Sequence, residues 1–241
     1  NHHVDEILAT LGRDRWSLRV HLLESKLRYV IPVLALCIVM AVVTVKYGIP
    51  AASRIIAEQL PDGVYHKAGE QTMNALDKMI LKPSALEPDV AQRVRSHLQS
   101  AIDHHPHWSI RVRFRKGGPF GPNAFALPDG QIVFTDEMIE IAENDDEILA
   151  VMAHEIGHVV HRHGMRRMIQ DSILSFAILS LTGDASGVSE LFLGLPAVLT
   201  ELSYSRDFER EADRYALTYL QTHDIPSRHF AAILTRISQQ E

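Results

Sequence analysis

Asn144 to His158 reads NDDEILAVMAHEIGH, and this stretch decides the fold. Asn144 is a good helix N-cap, and Glu147 stands three residues on, the spacing of a capping box. Ile148, Val151, Met152 and Val159 recur at helical spacing, and Gly164 offers a C-terminal stop. The spacing therefore predicts a helix between Asn144 and Gly164. Residues four apart on a helix sit one above the other, so the His154 and His158 imidazoles converge on one point, as two metal ligands must. Glu155 lies about 100° round the helix, off the ligand axis but within reach of a metal-bound water. Gly157 costs roughly 1 kcal/mol against alanine in a helix interior. Close approach of a second element would explain it.

A catalytic zinc needs a third protein ligand and an open fourth position. Downstream, Ser203 to Asp213 reads SYSRDFEREAD. Phe208, Ala212, Tyr215, Ala216 and Tyr219 describe a packed helical stripe, with Glu209 and Asp213 one turn apart on its edge. Glu209 is the candidate third ligand. Asp213 is placed to accept the free ring N–H of a ligating histidine. Glu211 is about 200° from Glu209, so its substitution is expected to be neutral. Glu201 precedes the Ser203–Ser205 cap region. His161 shares the His154 face, as a fourth ligand or as packing at the cleft edge, and His163 reads as a cap on the helix end.

Upstream, the period changes to two. Ile110, Val112 and Phe114 alternate with Arg111, Arg113 and Arg115, which predicts a strand with one buried and one cationic face. A hairpin follows, with strands at Asn123–Leu127 and Gln131–Thr135 joined by Pro128-Asp129-Gly130. Amphipathic helices are expected over Thr72–Leu81 and Pro88–Ile102. Asp103-His104-His105-Pro106-His107 reads as a solvated loop, with adventitious metal binding as the lesser alternative.

HEIGH at 154–158, followed about fifty residues later by SRDFEREAD at 205–213, resembles the gluzincin metallopeptidases of family forty-eight. That family includes HtpX-like, BepA-like and Oma-type membrane or periplasmic proteases and the CAAX prenyl proteases. PNAFALPDG at 122–130 is similar to the family's PNAFALPGG strand, with Asp129 replacing a glycine. The resemblance implies one Zn2+ per chain held by His154, His158 and Glu209. It also implies that the strand Asn123, Ala124, Phe125, Ala126 and Leu127 lies along the active-site cleft and binds substrate. The fold class expected is α+β: a mainly helical zincin-like domain with a small β-sheet, preceded by one transmembrane helix.

That helix is read at Tyr29–Val45, an uncharged run of 17 residues spanning roughly 26 Å. Arg13, Arg15, Arg19, Lys26 and Arg28 precede it, so the positive-inside rule places residues 1–28 in the cytoplasm. The expected organisation is a cytoplasmic segment (1–28), a membrane helix (29–47), a helical linker (48–86) and a metallopeptidase domain (87–241) whose C-terminus is truncated. A bacterial inner-membrane protein with a periplasmic catalytic domain is the corresponding location. Across 241 residues, a net charge of −6 excludes nucleic acid as the main partner, and one cysteine excludes internal disulfides and Cys-based zinc sites. Protein or peptide substrates and the membrane are the partners expected.

Met168–Leu181 and Val188–Leu202 are apolar but short and acid-bearing, and read as a lid or membrane-resting hairpin with its tip at Gly183–Gly187. The function that follows is a membrane-anchored zinc endopeptidase in which Glu155 activates water. Arg206, Tyr204 and His223 are candidates for stabilising the oxyanion. The rival reading is a periplasmic chaperone or assembly factor with a latent zinc site. A CAAX-type protease fits less well, because that group has several membrane spans.

Overall fold

The computed structural model describes residues 29–182 and 205–240. It divides into one unit ending at Ala52 and a second beginning at Ser53. Helix α1 (Tyr29–Gln59) has 31 residues and an apolar stretch of mean hydropathy 2.3, with none of that stretch buried. It is long and apolar enough to cross a bilayer. A π-helical turn occupies Thr44–Gly48 within it. The five basic residues before Tyr29 that set the expected orientation lie outside the described residues.

In the second unit, α2 (Asp62–Met79) begins ten residues earlier than the Thr72–Leu81 pattern suggests. Tyr65, Ala68, Met73 and Leu76 are its buried stripe, whereas Met79, expected to join it, is exposed. Strand β1 (Lys82–Pro83) is followed by α3 (Pro88–Asp103), which buries Val94, Leu98 and Ala101 as its periodicity requires. Strands β2 (Arg111–Lys116), β3 (Ala124–Ala126) and β4 (Gln131–Thr135) complete a four-stranded sheet of order β1-β2-β4-β3. β2 and β4 run parallel, while β1 and β3 pair antiparallel on the two flanks. The arginine face of β2 is neutralised locally: Arg111 meets Asp129 at 2.8 Å and Arg115 meets Asp77 at 2.8 Å.

The β3–β4 turn closes with Gly130 at φ +82, a conformation that favours glycine. Asp129 is buried in that turn. It accepts hydrogen bonds from the Gln131 side-chain amide at 2.7 Å and from Arg111, so the departure from the family's glycine is locally satisfied.

Five further helices are described: α4 (Asp136–Ile141), α5 (Asp145–Val160), α6 (His163–Thr182) and, beyond residue 204, α7 (Arg206–Thr222) and α8 (Arg228–Ser238). α5 is the centre, packed against α7, α3, α8 and β3. Every residue from Glu147 to Val159 except His154 is buried. This is the mainly helical α+β domain with a small sheet that the sequence implies.

Two local details differ from expectation. α5 ends at Val160, and the chain reverses through Arg162 at φ +56, so Gly164 lies inside α6 and is not the stop. A left-handed arginine costs on the order of 1 kcal/mol. Its guanidinium offsets this by donating to the Ala57 carbonyl (2.6 Å) and the Tyr65 hydroxyl (3.0 Å). Second, Asn144 does cap α5, accepting from the Glu147 N–H at 3.1 Å, but Glu147 does not return the bond. Its buried carboxylate binds Arg236 of α8 at 2.7 and 2.8 Å and accepts from the Glu143 N–H at 2.9 Å.

The Arg236 hydrogen bonds hold Glu147 below the usual carboxylate range despite its burial. Its folded-state value is depressed, so its contribution is present above about pH 4.5 and is lost as pH falls further. Arg236→Met strands the carboxylate and should destabilise the domain by about 3 kcal/mol at pH 7. The deficit should shrink on acidification, because protonation discharges the stranded group. Thermal melts at pH 7 and pH 4 check both signs.

Candidate active site

Helix α5 brings His154, Glu155 and His158 to one end of the core, and α7 lies across it. The reason is Gly157: a Cβ there would stand 2.9 Å from the Ala212 Cα and 3.1 Å from the Tyr215 Cβ. Only a bare backbone admits α7 at this distance. α7 starts where Ser205 accepts from the Phe208 N–H at 3.4 Å, and it buries Phe208, Ala212, Ala216 and Tyr219. Glu209 and Asp213 on its edge then face the two histidines.

The His154 and His158 Nε2 atoms are 3.0 Å apart; Glu209 places Oε2 3.4 Å from the first and Oε1 3.8 Å from the second. A tetrahedral cation with bonds of about 2.0–2.1 Å has ligands about 3.3–3.4 Å apart. The three groups therefore fit one small metal ion, and the donor set of two imidazoles and a carboxylate suits zinc. The site also seeks positive charge. Burial pulls His154 down, yet Glu209, Glu155 and Asp213 outweigh it and leave it raised.

Behind His158 stands a chain of partners that helical spacing does not reveal. Its Nδ1 lies 2.9 Å from His163 Nδ1, His163 Nε2 lies 2.8 Å from Glu211 Oε2, and Arg166 holds that oxygen at 3.0 Å. His163 is fully buried and stacks on Phe208 at 4.3 Å. Burial opposes ionisation of Glu211, but hydrogen bonds from His163 and Arg166 leave it below the usual carboxylate range. An ionised carboxylate only accepts, so His163 donates from Nε2. Burial pushes His163 down to about 4 and His158 down to about 2, so both rings are neutral. His163 Nδ1 is then the acceptor, His158 donates from Nδ1, and its Nε2 lone pair is left aimed into the site. On the other ligand, Asp213 Oδ1 sits 3.0 Å from His154 Nδ1, although the ring N–H does not point along that line. His163 is thus no helix cap, and Glu211 is not a bystander, contrary to expectation.

Glu155 is buried, and burial raises its carboxyl to about 7, against the pull of His154 and of the Ala126 backbone N–H. Its Oε2 is buried without a hydrogen-bond partner, the posture of a proton acceptor waiting for a water. Ala126 belongs to β3, the outer strand of the sheet. Asn123 and Leu127 pair with β4 through Thr135 and Gln131. By alternation Phe125 does so too, and the backbones of Ala124 and Ala126 face outward. The strand that the resemblance reads as substrate-binding lies beside Glu155, with Phe125 and Leu127 buried in the core.

Other expectations fare differently. His161 stacks on His163 at 5.5 Å, outside the ligand group. His223 is 14 residues beyond Glu209 on one helix, roughly 21 Å along its axis, and so is no oxyanion donor for this site. Arg206 opens α7 one turn before Glu209, while Tyr204, Val188–Leu202 and the Gly183–Gly187 tip lie outside the described residues.

The model of Peptidase family M48 matches residues 84–239. The chain belongs to that family. It is 30% identical over 162 residues to the mitochondrial metalloendopeptidase OMA1 of Arabidopsis thaliana, covering 64% of this chain and 31% of that protein. To the OMA1 of Saccharomyces cerevisiae it is 34% identical over 103 residues, covering 40% and 28%. To the beta-barrel assembly-enhancing protease of Escherichia coli it is 27% identical over 128 residues, covering 49% and 26%. The chain thus spans about a third or less of the length of these M48 relatives.

Gly157→Ala should gain helix propensity yet lose stability by about 1–2 kcal/mol, because overpacking separates α5 from α7. Zinc retention after dialysis should fall with it, since Glu209 moves with α7. Glu211→Gln should weaken zinc binding about 10–100-fold, as loss of a group supporting a ligand does. Competition with a chromophoric chelator measures both.

Proposed function

We propose that this chain is a membrane-anchored, zinc-dependent endopeptidase. The observation that carries the reading is the cluster of His154 Nε2, His158 Nε2 and the Glu209 carboxylate, with ligand atoms within 4.8 Å of one another and next to a buried carboxyl whose Oε2 has no hydrogen-bond partner. Bound there, a zinc ion supplies a Lewis acid that polarises the scissile carbonyl and acidifies a water. Glu155 takes the proton of that attacking water at Oε2 and passes it to the departing amine, a shuttle that its burial favours by raising the carboxyl's affinity for a proton. The outward backbone of Ala124 aligns an extended substrate by strand addition, so recognition rests on main-chain bonds and side-chain preference is loose.

The exposed apolar stretch of α1 supports single-pass anchoring. The basic residues before it support a cytoplasmic N-terminus, which puts the catalytic domain on the periplasmic side of a bacterial inner membrane. Misfolded or membrane-associated proteins are the substrates proposed. A role in envelope-protein assembly is the second reading, favoured by the apolar exposure of α6 at Leu174, Phe176 and Ile178.

Glu155→Gln should keep zinc and lose casein cleavage at least 1,000-fold, the scale of removing a general base together with its proton delivery. Glu209→Gln should lose both metal and activity. A chain whose Glu155→Gln variant still cleaves casein is not working by this mechanism, and one that complements a deletion strain undiminished acts in assembly instead.

A further inference from the structure

His104 and His223 are 119 residues apart and close the C-terminal ends of α3 and α7. Each ring bonds one turn back: His104 Nδ1 to the Ser100 carbonyl at 2.5 Å, and His223 Nδ1 to the Tyr219 carbonyl at 2.8 Å. A carbonyl only accepts, so both Nδ1 atoms carry their protons, and in its neutral form each ring has its lone pair at Nε2. Those two Nε2 atoms face each other at 3.4 Å, with the rings edge to face at 83°. Opposed lone pairs repel unless a cation lies between them. A 3.4 Å separation is long for a shared proton but equals the ligand spacing about a tetrahedral ion with bonds of about 2.0–2.1 Å.

Three further features favour a cation here. Both helices end at this point, and helix C-termini carry partial negative charge. The backbone bonds fix tautomer and orientation, as the outer partners of metal-bound histidines do. His223 is stacked on the buried Tyr219 at 4.1 Å, which holds one ring in place, while exposed His104 leaves room for waters to complete the coordination. Among the described residues, neither ring makes an ion pair with a carboxylate.

We propose that His104 and His223 form a second, peripheral site for a late first-row divalent cation such as Zn2+, Ni2+ or Cu2+. Two imidazoles with water select these ions over Mg2+ or Ca2+. The site lies at the far end of α7 from Glu209 and clamps α7 to α3. It stands independently of the peptidase reading, since it uses none of those side chains.

The test is zinc binding to the full chain in detergent, by equilibrium dialysis with metal analysis. A second equivalent should bind with a Kd on the order of micromolar, as two nitrogen ligands and solvent allow. His104→Gln and His223→Gln should each weaken that equivalent at least tenfold, and the double variant should be no worse than either alone. The tighter first equivalent should persist in all three, which doubles as the control for folding. His107→Ala should change neither. Cu2+ added to protein preloaded with one zinc should show an electron paramagnetic resonance signal with two coupled nitrogens, reduced to one or none in the variants. The proposal is overturned if, up to about 100 micromolar free metal, no bound zinc equivalent is weakened by His104→Gln or His223→Gln.

Discussion

The contact of α5 with α7 at Gly157 is the constraint from which the site follows. Two helices carrying two histidines and a carboxylate make a metal-ion triangle only if their backbones come closer than side chains normally permit. The Ala212 backbone fills the space that a Cβ on Gly157 would take. Glu209, one turn earlier on α7, is thereby carried to within 3.4 Å of His154. The helix-propensity cost of the glycine is small beside the geometric requirement it meets.

Polarity is set from outside the triangle inward. Glu211 and Arg166 orient His163, His163 orients His158, and Asp213 stands at the back of His154. Glu211 can only accept and Arg166 can only donate, so the proton position on His163 is set at the outer end and passed to His158 through the one bond between the two rings. The same logic at the opposite end of α7, with backbone carbonyls in place of carboxylates, turns the Nε2 atoms of His104 and His223 toward each other.

The sheet places β3 next to α5. β4 is buried along its length, β2 buries only Phe114, and β3 flanks β4 as an outer strand. That strand touches Glu155 through the Ala126 N–H, which ties the position of the strand to that of the buried carboxyl. The Arg236–Glu147 pair anchors the opposite end of α5, so the helix bearing the base is fixed at both ends.

The sequence alone determined which side chains share a helix face. HExxH and ExxxD encode ligand spacing along single helices, where a 3.6-residue period fixes which side chains share a face, and that is why His154, His158, Glu209 and Asp213 were legible. The alternation around Phe114 and the Pro-Asp-Gly turn were legible because a strand period and a turn conformation are also local properties. Tertiary structure decided what period cannot carry. His163 lies past a chain reversal at Arg162, where helical phase is lost, so its approach to His158 from a different helix had no local signature. Glu211 points away from Glu209 as the helical wheel requires, yet the element waiting on that side is α6 with His163 and Arg166, and only the packing supplies it. His104 and His223 are separated by most of the domain, and their meeting depends on where two helices end in space, which no spacing in the sequence records.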